Sequence, residues 1–133
     1  MTSQVTYLGD LRTSSIHLQS GSEIISDAPL DNNGKGEAFS PTDTVANALA
    51  SCMMTIMGIK ARDMNLELDG SVASVTKIMN VEPRRIGIIE IVFEMNLTTD
   101  SKNKTILERA AMTCPVFLSL NTAIEKKISF NWK

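Results

Sequence analysis

Between Ser40 and about Met64 the chain carries a helix that leaves little of its circumference to water. Ser40 can cap the free backbone N–H groups, Pro41 suits the first helical position, and Asp43 places an acid in the first turn. At about 100° per residue, Thr44, Asn47, Ser51, Thr55 and Gly58 fall on one narrow stripe. Ala, Val, Leu, Met, Ile and Cys52 occupy most of the remaining surface. A helix apolar over most of its circumference packs on several sides and belongs at the centre of a fold. Its stripe of small residues is where another backbone, such as a second helix, can approach closely.

The flanking segments supply the sheets. Val5 and Tyr7, then Ile16 and Leu18, then Glu23 to Ser26 predict three short strands, with Gly9-Asp10 and Ser20-Gly21 at the turns. The polar stretch from Leu30 to Phe39 predicts a loop long enough to edge a site. After the central helix, Ser71 to Val81 and Gly87 to Leu97 predict a hairpin around Glu82-Pro83-Arg84-Arg85. In its second arm Ile89, Ile91, Phe93, Met95 and Leu97 point one way, and Glu90, Glu94 and Asn96 the other. A second helix begins near Asp100 or Ser101. Pro115 must interrupt it, because proline lacks the N–H and clashes with the preceding turn. A fresh helix from Pro115 to about Ile124 is the simplest continuation, before a last strand carrying Ile128, Phe130 and Trp132. The order βββ-α-ββ-α-(α)-β predicts an α+β fold with sheet on one side of buried helices.

At 133 residues the chain has the length of one domain, and residues 1–133 are expected to form one. A net charge of -2 argues against a general nucleic-acid binder, which needs concentrated positive charge. The first residues, MTSQVTYLGDLR, lack a basic start and an apolar signal core, so export is not expected. No apolar run approaches the ~20 residues that span a bilayer. A cytoplasmic protein without a membrane partner is the expectation. Two cysteines not spaced as CxxC, with His17 as the single histidine, do not assemble an ordinary zinc site. No metal or other cofactor is expected. His17 lies on the polar face of its strand and reads as a surface residue.

The two cysteines pose the chemical question. Cys52 lies three turns into its helix, beyond the reach of the macrodipole, and burial among methionines would raise its pKa. A reactive Cys52 therefore needs a cation from elsewhere in the fold. Cys114 has a local argument: if Pro115 opens a new turn, Cys114 is its cap, where free N–H groups favour a thiolate. From the residues alone, small apolar filler is the better reading of both. Met53, Met54, Met57 and Met64 could hold copper(I) by softness, but unbranched methionine in such a helix is better explained as packing.

SerProThrAsp at 40–43, AlaLeuAlaSerCys at 48–52 and CysProVal at 114–116 together resemble the OsmC/Ohr superfamily of osmotically inducible and organic hydroperoxide resistance proteins. The form SPTD is most similar to its YhfA-like branch, and the order of elements agrees over essentially the whole chain. The resemblance implies an intertwined homodimer of curved antiparallel sheets wrapped around central helices, with active sites at the subunit interface. It also implies that Cys52 is peroxidatic, attacking an organic hydroperoxide, and that Cys114 resolves the sulfenic acid into a disulfide which a cellular dithiol reduces. The thiolate in this family is held by an arginine that a glutamate steadies. Carried over, Arg12 is the cation and Asp43 the acid, since Thr42 follows Pro41 and the loop before the helix offers only Lys35. The competing expectation is an OsmC-fold dimer that binds an apolar small molecule or scavenges electrophiles without turnover. A purely structural dimer with filler cysteines is the third.

Overall fold

A computed structural model describes all 133 residues, Met1–Lys133. The strands are β1 (Ser3–Gly9), β2 (Arg12–His17), β3 (Glu23–Asp27), β4 (Val72–Val81), β5 (Arg84–Met95) and β6 (Glu125–Trp132). The helices are α1 (Pro41–Asp63), α2 (Ser101–Ala111) and α3 (Pro115–Ser119), with one 3-10 turn at Leu30–Asn32. The fold class is α+β, as the element order predicted. The chain forms two compact units, Met1–Val45 and Ala46–Lys133.

The first unit is the antiparallel sheet β1-β2-β3 with the loop that follows it. Asp10 and Leu11 both take left-handed backbone angles, φ 51° and 61°, which is the geometry that turns a tight hairpin with the right twist. Register then sets Arg12 directly opposite Asp27 and Ile16 opposite Glu23. The loop after β3 folds back closely. A Cβ on Gly34 would stand 1.6 Å from the Ala28 carbonyl oxygen, so only glycine passes there. This close pass keeps the loop against the end of β3, where Glu37 reaches back toward Asp27. At the start of α1, Asp43 accepts the Ser40 N–H at 2.9 Å and donates its own N–H to Ser40 Oγ at 3.0 Å. That reciprocal pair satisfies donors the first helical turn leaves open.

The second unit holds the core. Ala46, Leu49, Ala50, Met53 and Met57 of α1 cluster with Ile89, Ile91, Phe93 and Met95 of β5 and with Ala111 and Cys114. The alternation along β5 is the one the sequence predicted, with Glu94 and Asn96 on the wet side. Its first residue is Arg84 rather than Gly87, so the turn shortens to Glu82-Pro83. Gly87 lies where the β4–β5 register slips, and Asn80 occupies the space beside it.

Three expectations need correction. The second sheet, ordered β4-β5-β6, is not wholly antiparallel: β6 lies parallel to β5. The two helices between those strands supply the long crossover that a parallel return requires. Second, α3 stops at Ser119, because Leu120 is already extended and Asn121 turns the chain by accepting the Ala123 N–H at 2.8 Å. Third, α1, 23 residues long and with an 18-residue stretch of mean hydropathy 1.2, does reach the length and composition of a membrane span. Core helices pass the same test, and the helix lies in the core cluster through five of its side chains.

Candidate active site

Cys52 lies about three turns into α1, flanked by buried Met53, and is itself half-buried. Cys114 occupies the junction of α2 and α3 and is 0 % exposed. Tertiary packing brings the two together: Cys114 belongs to the core cluster against which Cys52 packs, the two thiols are near enough to interact, and both cysteines are free. The Cys114–Pro115 junction behaves structurally as the sequence predicted. Pro115 is the first residue of α3, and Cys114 Sγ accepts the Phe117 N–H at 3.2 Å as the cap.

The electrostatic outcome is the reverse of the sequence expectation. Burial pushes the Cys114 thiol pKa up, and the neighbouring Cys52 adds to the rise. The N–H groups of Phe117 and Val116 pull the other way but do not prevail. A helix of five residues carries little dipole, whereas burial disfavours the thiolate and is the larger effect. Cys114 is thus a thiol that keeps its proton beside a more accessible cysteine.

Arg12 and Asp43 belong to the first unit. Arg12, at the start of β2, donates from Nε to Asp27 Oδ1 at 2.7 Å and from Nη2 to Asp27 Oδ2 at 2.8 Å. The same Nη2 also reaches Glu37 Oε2 at 2.9 Å, and the Glu37 N–H donates to Asp27 Oδ2 at 3.0 Å. Asp27 is only 1 % exposed, and its two oxygens form the two-pronged match that a guanidinium allows and an ammonium does not. The pairing holds the Asp27 carboxyl below the usual carboxylate range, chiefly through the Arg12 hydrogen bonds and against the opposing effect of burial. It also raises the Arg12 guanidinium further above its ordinary value. Asp43 serves the helix cap described above. Lys35 contributes positive charge near Asp27, and His17 is exposed, with Nδ1 2.7 Å from Ser20 Oγ. Asp27 and Glu37 were not anticipated as partners of Arg12. The signal for Asp27 was present, since a hairpin centred on Gln19-Ser20 sets Arg12 opposite it.

The Arg12–Asp27 pair has a pH signature. Asp27 titrates lower folded than unfolded, so its contribution is present above the unfolded value of about 3.9 and is lost as pH falls through the folded one. Asp27→Asn is therefore expected to lower the urea midpoint at about pH 7, with the gap from wild type closing toward about pH 2.5. An equal gap at both pH values would assign the effect to shape rather than charge.

No cluster of three or more His, Cys, Asp or Glu side chains with metal-binding geometry is present. A cleft of about 620 Å³ runs along the C-terminal end of α1, lined among others by Thr55, Ile59, Arg62 and Leu66; neither cysteine lines it.

The family model for OsmC-like protein matches residues 34–129, a span that includes both cysteines and the SPTD cap. The chain belongs to the OsmC-like family. A structure from Psychrobacter arcticus 273-4, provisionally described as an osmotic stress induced and detoxification response protein, shares 54% identity with this OsmC-like chain. The match covers 98% of this chain and 96% of that one, with a TM-score of 0.95. An OsmC-like protein of Mycoplasma pneumoniae superposes with a TM-score of 0.81 at 14% identity, over 98% and 94% of the two chains. The organic hydroperoxide resistance protein OhrB of Bacillus subtilis gives 0.69 at 18% identity, over 98% of each. The last two likenesses speak to the fold. A search of curated proteins returns no match.

Proposed function

We propose that this OsmC-like protein is a cysteine-dependent peroxidase that reduces organic hydroperoxides, with Cys52 the attacking sulfur and Cys114 the resolving one. The observation that carries the reading is that Cys52 of α1 packs against the core cluster that holds Cys114, the cap of α3, with the two thiols near enough to interact. The Cys52 thiolate attacks the distal oxygen of ROOH, the O–O bond breaks, and an alcohol leaves once its oxygen is protonated. Cys52 is then a sulfenic acid, two electrons oxidised. Cys114 attacks that sulfur, water departs, and the resulting disulfide awaits an external dithiol. Family membership and the hydroperoxide resistance named for OhrB point the same way.

Arg12 is the cation of this scheme, and Asp27 with Glu37 hold its guanidinium in a fixed orientation. Asp43 acts through the cap that starts the Cys52 helix. The working form is a homodimer with sites at the subunit interface, and residues 1–133 act as one OsmC-like domain within it. Unmatched apolar surface supports the dimer. Val5 and Tyr7, 63% and 65% exposed, share a sheet face with Ile24, and α1 leaves Ile59 54% exposed.

The test is a single turnover. Fully reduced protein takes one equivalent of cumene hydroperoxide, and the intact chain is weighed and mapped. The expected result is loss of two hydrogens with Cys52 joined to Cys114. Reaction no faster than a free thiol would refute the reading and leave the apolar-ligand alternative.

A further inference from the structure

In the peroxidase reading, the first step has an unassigned participant. When the O–O bond of an alkyl hydroperoxide breaks, the departing oxygen carries a full negative charge unless a proton reaches it. An alkoxide is a poor leaving group, so a positioned acid lowers this barrier most. Cys114 meets the structural requirements. It belongs to the core cluster against which Cys52 packs, and it is 0 % exposed, so no water competes for its proton. The Phe117 N–H already points at Cys114 Sγ from 3.2 Å, a contact that strengthens when the sulfur becomes negative.

We propose that Cys114 is the general acid of the first step as well as the resolving thiol of the second. The inference rests on the peroxidase reading above. As the Cys52 thiolate bonds to the distal oxygen and the O–O bond breaks, the Cys114 S–H gives its proton to the departing alkoxide oxygen. The products are ROH, Cys52–SOH and a Cys114 thiolate. That thiolate attacks the Cys52 sulfur, the S–S bond forms, and hydroxide leaves to take a proton from solvent. The balance is ROOH and two thiols in, alcohol, water and disulfide out. The resolving nucleophile is thereby made only after peroxide has reacted. Before that, Cys114 is held protonated by the burial that pushes its pKa up. An aliphatic alcohol is a far weaker acid than any thiol, so the transfer runs downhill.

The experiment compares leaving groups. Single-turnover rate constants for Cys52 sulfenic acid formation are measured in the full-length wild type and in Cys114→Ala, with tert-butyl hydroperoxide and with peracetic acid. The first expels an alkoxide that needs the proton; the second expels acetate, which does not. The ratio of the two rate constants, alkyl to peracid, is expected to fall about 100-fold in Cys114→Ala. Damage to folding or to the Cys52 environment slows both peroxides together and leaves the ratio where it was. Cys114→Ser, whose hydroxyl is a weaker acid in the same place, is expected to give an intermediate ratio. An unchanged ratio in an active protein would overturn the acid role while sparing the peroxidase reading. A wild type that reacts with neither peroxide faster than a free thiol would overturn both.

Discussion

Cys52→Ser is expected to lower organic hydroperoxide reduction by at least about 10³-fold, a barrier increase of about 4 kcal/mol, while leaving the fold intact. The substitution exchanges one sulfur for oxygen at a half-buried helical position, so packing changes little. Chemistry changes far more, because a serine hydroxyl does not ionise near neutral pH and is a weak nucleophile toward peroxide oxygen. Cys114 cannot take over. It is wholly buried, and that burial keeps it protonated. Turnover of tert-butyl hydroperoxide with dithiothreitol as reductant measures the loss, and far-UV circular dichroism confirms the fold. A residual rate within about tenfold of wild type would move the nucleophile away from Cys52. The contrasting variant, Cys114→Ser, is expected to accumulate Cys52 sulfenic acid that dimedone traps, since the second bond has no sulfur to close on.

The parts of the fold that local chemistry dictates were legible in the sequence. Ser40, Pro41 and Asp43 specify a helix start, and α1 begins at Pro41 and ends at Asp63, one residue from the predicted end. Alternation named Ile89, Ile91, Phe93, Met95 and Leu97 as the inward face; the first four are buried, and Leu97, past the end of β5, is half-buried. Pro115 forced a break, and the break is there. What local pattern could not supply is anything set by the return path of the chain. The parallel pairing of β6 depends on a crossover through α2 and α3, and an alternating strand looks the same in either direction. The meeting of Cys52 and Cys114 is likewise tertiary; only the resemblance to a family, not their spacing, led to it. The thiol pKa of Cys114 shows a further limit. Its cap geometry was readable from CysProVal, but the sign of the shift is decided by complete burial, which no neighbouring residue announces. Asp27 was overlooked for the opposite reason, since counting register back from the β2–β3 turn would have found it.

Phe93→Ala is expected to be the most damaging single change to stability, costing about 3–5 kcal/mol. Phe93 is 0 % exposed on the central strand of its sheet, with Ala73 of β4 on one side and Phe130 of β6 on the other. Its ring stacks on Phe130 at 5.0 Å between centroids and 9° between planes. Removing it loses the transfer free energy of the ring and opens a cavity, since small Ala73 offers nothing to fill the space. Stacking adds about 0.5–1.5 kcal/mol beyond burial. Phe93→Ala and Phe130→Ala should therefore cost less together than the sum of their separate losses. Against a typical total of about 5–15 kcal/mol, the single change takes a large share. Urea unfolding followed by Trp132, the sole tryptophan, reads the effect from the same sheet. Protein concentration is held constant, because any self-association would shift the midpoint. The change also reaches the site: Phe93 shares its core cluster with Met53, whose neighbour in sequence is Cys52, and with Cys114. Near-wild-type stability in Phe93→Ala would mean that the sheet does not depend on this ring. A large loss accompanied by slower Cys52–Cys114 closure at a pH where the variant stays folded would show that the rigid face of β5 holds the two sulfurs in reach.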